Sequence, residues 1–120
     1  MQLENQLYEI IESGDKVFRL RLLPESVIFK AHFPGFPVLP GVCMVRVVTE
    51  LAEKILCCRL SLSEMRNVKF LGVVSPVDTP EVDFTFDHLQ ISVHEVAAKG
   101  TVSNNGTVFS KFSLKYNIID

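Results

Sequence analysis

From Val42 to Leu71 the chain contains neither proline nor glycine, and the first half of that stretch, Val42 to Cys58, has the spacing of one long helix with Pro40 just ahead of it. At 100° per residue, Arg46, Thr49, Glu50 and Glu53 fall in a single polar stripe about 100° wide. Met44, Val45, Val47, Val48, Leu51, Ala52, Ile55 and Leu56 cover the rest of the circumference. A helix resting on a flat surface needs a narrower apolar face. This one must be wrapped, and a curved sheet is the element able to wrap it.

Strand patterns lie on both sides of the helix. Leu7 to Ser13 and Lys16 to Leu23 are rich in β-branched and large apolar residues and are separated by Gly14-Asp15, which predicts a first hairpin. Downstream, Val82, Phe84 and Phe86 alternate with Glu81, Asp83, Thr85 and Asp87, the period of a strand with one wet face. Val108, Phe112, Leu114, Tyr116 and Ile118 alternate with Lys111, Ser113 and Lys115 in a long final strand. Between these, Ile91 and Val93 share one parity and Val96 and Ala98 the other, which predicts a bulge at Glu95. Asn105-Gly106 reads as a hairpin turn rather than a glycosylation site. With Asn67 to Val73 added, the order is ββαββββ: one α+β domain over residues 1–120, an antiparallel sheet curled around one helix.

Composition narrows the function. At 120 residues, with 48% apolar and 22% charged, the chain carries one core and needs no structural metal or cross-link. Twelve basic against fourteen acidic residues give a net charge of -2, which argues against nucleic-acid binding. There is no basic-then-apolar leader at the start and no apolar run near the ~18 residues of a membrane span, so a cytoplasmic protein without membrane attachment is expected. Cys43, Cys57 and Cys58 are an odd number in such a setting and are expected to be reduced.

The most unusual stretch is Ala31-His32-Phe33-Pro34-Gly35-Phe36-Pro37-Val38-Leu39-Pro40-Gly41-Val42. Three prolines in seven residues stiffen a loop, as a loop that must hold one side chain still requires. His32 is the candidate: imidazole can take a proton near neutrality, and Phe33 and Phe36 would form an apolar wall beside it. A histidine that merely bonds a buried carbonyl fits the same residues. Gly41 and Val42 bring backbone N–H groups to a helix N-terminus, suited to a carbonyl oxygen gaining negative charge. Cys43 in the first helical turn is read as a packed thiol, and His88 and His94 lack the neighbours of a metal site. Neither metal nor cofactor is implied.

The string His32-Phe33-Pro34-Gly35-x-Pro37-x-x-Pro40-Gly41-Val42 resembles the signature of the hotdog-fold 3-hydroxyacyl-(acyl carrier protein) dehydratases. Lys69-Phe70 followed by Pro76, Asp78 and Thr79 is a second, weaker match, and the element order fits over roughly residues 5 to 117. The resemblance implies a lyase that removes water from a 3-hydroxyacyl thioester of acyl carrier protein or coenzyme A, giving the trans-2-enoyl product in fatty-acid or polyene-type synthesis. It implies His32 as base on the α-carbon, the amides of Gly41 and Val42 on the thioester carbonyl, and Phe33 and Pro40 among the substrate-binding residues. It also implies a homodimer or higher oligomer paired through sheet edges.

The family's helix carboxylate falls on Arg46, which cannot act as a carboxylic acid. Glu50, one turn along, could take the acid role with Arg46 orienting it. Alternatively, Arg46 contributes charge alone while water protonates. As a third reading, the pocket binds or hydrolyses acyl thioesters, or the chain is a non-catalytic subunit beside an active paralogue. On the bland view, Arg46, Glu50 and Glu53 form an exposed charged face. Leu71 and Val77 replace a basic residue and a glycine of the family pattern, as in the divergent members tied to aryl polyene or flexirubin-type pigments. Lys30, Arg66 and Lys69 are candidates for docking an acidic carrier.

Overall fold

The computed structural model describes residues 2–31, 35 and 37–119. Their order is β1 (Tyr8–Ser13), β2 (Val17–Leu22), α1 (Val27–Ala31), α2 (Gly41–Leu56), β3 (Leu60–Phe70), β4 (Glu81–Ile91), β5 (Glu95–Asn104) and β6 (Thr107–Ile118). The six strands form one antiparallel sheet in the order β1-β2-β4-β5-β6-β3. The expected α+β architecture of strands around a long helix is what the chain adopts.

The core is a single cluster between the apolar arc of α2 and one face of the sheet. Met44, Val47, Val48, Leu51 and Ala52 face Phe18, Leu20 and Leu22 of β2, Val82, Phe84 and Phe86 of β4, Val96, Ala98 and Val102 of β5, and Phe112, Leu114 and Tyr116 of β6. These strand residues are the alternate positions of each pleat, so the period-2 pattern decides which side chains are inside. Phe86 and Phe112 meet edge to face, centroids 5.8 Å apart.

Several expectations need correction. A short helix, α1, precedes the proline-rich loop; Ser26 caps it, its Oγ accepting from the Ile28 N–H and its carbonyl from the Lys30 N–H. The long helix ends at Leu56, and Cys57 closes it in the left-handed region at φ 53°. β3 begins at Leu60, seven residues earlier than expected, and two register shifts hide its alternation. There is no bulge at Glu95. The parity change there is a turn over residues 92–94, with the Ser92 N–H donating to the Glu95 carbonyl, and the irregularity of this hairpin lies at Phe86/His88 on β4. His88 is thus inside a strand and His94 in a turn. Asn105 (φ 47°) and Gly106 (φ 82°) form the β5–β6 turn, as the Asn-Gly pair predicts.

Candidate active site

The N-terminus of α2 opens onto a groove between the helix and β3. Pro40 occupies the cap position in an extended conformation, and no side chain caps the helix. Its carbonyl accepts from the N–H groups of Cys43 and Met44, while those of Gly41 and Val42 belong to the first turn, which has no intrahelical acceptors. Upstream, the Leu39 N–H donates to the Val74 carbonyl (2.7 Å), tying the loop to the segment after β3. Phe70 lies across the helix start: a methyl group on Gly41 would come 2.6 Å from its Cζ, so glycine there permits the ring's approach.

Two adjoining recesses share Val42, Val45 and Leu62. The apolar one, about 550 Å³, is completed by Gly41, Met65, Val68 and Phe70. The other, about 750 Å³, continues along the helix past Arg46, Thr49 and Glu53 to Arg59 and Gln2. The groove therefore runs from the first turn of the helix, through an apolar stretch, to a polar end that carries two guanidinium groups and a carboxylate. Arg46 is five residues from Gly41, roughly 7 Å along the helix axis.

The polar stripe of α2 is not the solvated face that charge alone suggests. Thr49 is 4% and Glu50 5% exposed. Oε1 of Glu50 accepts from the Tyr8 hydroxyl (2.8 Å) and the Glu4 N–H (3.0 Å); Oε2 accepts from the Leu3 N–H (2.7 Å) and Arg46 Nε (3.2 Å). Two oxygens with two acceptor positions each are thereby filled. The expectation that Glu50 reaches a substrate hydroxyl meets this geometry: the carboxylate turns toward the N-terminal segment and is not among the residues lining the groove beside Arg46. Glu53 spends Oε2 on the Leu60 N–H (2.9 Å), bridging α2 to β3. The Thr49 hydroxyl donates to the Val45 carbonyl (3.0 Å) and meets the Tyr116 hydroxyl (3.0 Å).

Burial, then the hydrogen bond to Glu50, pushes the Tyr8 phenol above its ordinary range, and burial pushes Tyr116 up to about 12. Burial also pushes the Cys43 thiol up, in keeping with a packed thiol rather than a nucleophile.

Of the expected site residues, the structure sets Gly41 in the apolar recess, Arg46 in the polar one and Val42 in both, with Pro40 at the helix cap and Glu50 behind Arg46. His32 and Phe33, with Pro34 and Phe36, lie outside the described residues. Tyr8, Arg59 and Phe70 were not singled out beforehand as parts of the site. Only Phe70 carried a signal, through Lys69-Phe70; the others arrive by contacts between distant parts of the chain. Among the described residues no group of three His, Cys, Asp or Glu side chains could hold a metal ion.

Comparison with known proteins places these residues in context. The ApeI dehydratase family model, ApeI-like, matches residues 9–107. Similar curated proteins are the 3-hydroxyacyl-[acyl-carrier-protein] dehydratases FabZ of Rickettsia bellii, 33% identical over 93 residues, and of Rickettsia felis, 32% identical over 93. Each match covers 71% of this chain and 64% of the relative, so the chain spans just under two thirds of their length. Among solved structures, the dehydratase heterocomplex ApeI:P of Xenorhabdus doucetiae superposes with TM-score 0.57 at 22% identity, covering 88% of this chain and 91% of that one. A thioesterase mutant from Staphylococcus aureus gives TM-score 0.68 at 11% identity, covering 97% and 96%. At these identities both structures speak for the fold alone.

Proposed function

The chain belongs to the ApeI-like dehydratase family, and from that premise we infer that it eliminates water from a 3-hydroxyacyl thioester carried on acyl carrier protein or coenzyme A. The observation that carries this reading is the groove, with the first-turn amides of α2 at one end and Arg46 one turn beyond Val42 along the helix. The amides of Gly41 and Val42 hold the thioester carbonyl, where negative charge grows as the α-proton leaves. His32 takes that proton from C2, the electron pair forms the C2=C3 double bond, and the C3–O bond breaks. The leaving hydroxide departs hydrogen-bonded to the Arg46 guanidinium and takes up the proton from His32 through water, which gives the trans-2-enoyl thioester and one water. Phe33 and Pro40 keep the substrate-binding role that the family resemblance gives them.

The pocket is completed by a second copy of the chain. β3 is the long edge of the sheet, and Met65 and Phe70, each 59% exposed, stand with Val42, 77% exposed, along the apolar recess. An eleven-residue edge with such side chains invites pairing. Antiparallel pairing of β3 with its symmetry mate would close the recess and form a cytoplasmic homodimer.

Turnover of 3-hydroxyacyl thioesters by wild type beside His32→Ala and Arg46→Met tests the reaction. Both variants are expected to lose about 10²-fold or more, the size of a lost acid-base or charge contribution. A wild type inert toward every such thioester, and in the reverse hydration, overturns it. In that event the second reading, a binding subunit beside an active paralogue, takes its place; it is favoured by an arginine standing where the family has a carboxylate. Slow hydrolysis to the free acid would instead indicate a thioesterase.

A further inference from the structure

Glu50 is the most densely bonded side chain of the described residues, and its donors come from two directions: Arg46 one helical turn away, and Leu3, Glu4 and Tyr8 more than forty residues away. We propose that Glu50 is a positioning residue that assembles the polar end of the groove, holding the Arg46 guanidinium and the N-terminal segment in place with one carboxylate. The proposal deepens the dehydratase reading, on which its catalytic readout rests, but its structural content stands apart.

The N-terminal segment is built to be held. The N–H groups of Gln6 and Leu7 both donate to the Leu3 carbonyl, and the Asn5 N–H donates to the Tyr8 carbonyl. Leu3 and Leu7 are fully buried. This turn presents the Leu3 and Glu4 amides to Glu50, and Lys54 adds an exposed ion pair to Glu4 (3.2 Å). Gln2, next in the chain, lines the groove together with Arg46. Segment and guanidinium thus meet at one wall, with Glu50 buried behind both.

The consequence for Arg46 is orientation. An arginine on an exposed helix samples many rotamers, and the planar fork acts well only when aimed. Bonding through Nε, the inner edge of the guanidinium, fixes the plane in which the terminal nitrogens lie. Arg46 remains about one-third exposed at the groove while its carboxylate partner is 3% exposed, so the charge is offered from a rigid base. Replacing Glu50 with glutamine keeps the shape but turns one acceptor oxygen into a donor NH₂ facing donors, so the cluster cannot be satisfied.

The test combines turnover of a 3-hydroxyacyl thioester with NMR hydrogen exchange of the Arg46 Nε–H and the Leu3 and Glu4 amides. In the wild type all three protons are expected to exchange slowly. Glu50→Gln is expected to release them and to lower kcat by roughly 10- to 100-fold, the scale of a misplaced catalytic group, with little change in KM. The double variant Glu50→Gln/Arg46→Met should be no slower than Arg46→Met alone, because Glu50 acts through Arg46. Arg46→Lys, which leaves the buried cluster a positive partner and keeps the fold testable should Glu50→Gln fail to fold, is expected to lose turnover as Arg46→Met does. Lys54→Ala, which removes only the exposed ion pair, should leave turnover unchanged.

Multiplying losses in the double variant, a still-protected Nε–H in Glu50→Gln, or a fully active Arg46→Lys would each overturn the proposal. If the wild type is inert but the three protons behave as expected, the dehydratase reading falls and the positioning role stands.

Discussion

Tyr8 and Tyr116 show how far a buried hydroxyl's chemistry depends on what faces it. They are the protein's two tyrosines, and there is no tryptophan, so phenolate absorbance reports them without interference. Both are fully buried and bonded into the stripe of α2, Tyr8 to Glu50 and Tyr116 to Thr49. Burial is the leading cause that raises both, so the folded protein keeps protons that the unfolded chain releases near pH 10. The folded state then binds more protons, and the sign of the linkage follows: their contribution to stability is whole below pH 10 and is lost as the pH rises through the folded value, about 12 for Tyr116. Titrated in the native state, the protein is expected to show little phenolate at pH 10 to 11. Adding denaturant at the same pH should release both chromophores together. A native titration centred at pH 10 would mean that neither ring is sealed.

At the scale of elements, β4, β5 and β6 approach most tightly at one glycine. Gly100 of β5 lies between Phe86 and Phe112 in the ladder, and a methyl group there would come 1.9 Å from the Thr85 carbonyl oxygen and 2.7 Å from the Phe112 ring. Backbone cannot yield as a side-chain tip can. Gly100→Ala is therefore expected to destabilise by about 3 kcal/mol or more, at the upper end of overpacking costs, measured as a fall in the denaturant midpoint. An alanine variant as stable as wild type would require β4 and β5 to shift apart, which the Phe86–Phe112 contact, centroids 5.8 Å apart, would register. The strand patterns were readable here because β4, β5 and β6 bury one face over much of their length, so alternation survives in the letters. β3 has two register shifts and exposes most of its residues, so its letters do not alternate and its first seven residues were missed.

For the whole molecule, the unbalanced edges of the sheet matter most. β1, with six residues, ends one side and β3, with eleven, the other. A homodimer through β3 predicts a sedimentation coefficient of two chains at micromolar concentration. Met65→Lys places a charge in the paired edge and is expected to give a folded monomer with no turnover. A stable monomer in the wild type that retains full activity would remove the two-chain site from consideration.

What the sequence determined by itself was the set of local rules: a helix apolar on most of its circumference, strands with one dry face and an Asn-Gly turn. Each rests on neighbours a few residues apart, and a single chain of letters records those directly. The same letters placed Arg46, Thr49, Glu50 and Glu53 on one stripe, because helix geometry fixes angular spacing around an axis. Glu50 could be put on a stripe beside Arg46 but not assigned its other partners, since three of its four donors lie 42 to 47 residues away and are brought there only by the packing of the N-terminal turn against α2. Tertiary structure alone decided that Thr49 and Glu50 of that stripe are buried while Arg46 and Glu53 face a groove. A buried carboxylate must have every lone pair met, and only the assembled fold could supply the donors.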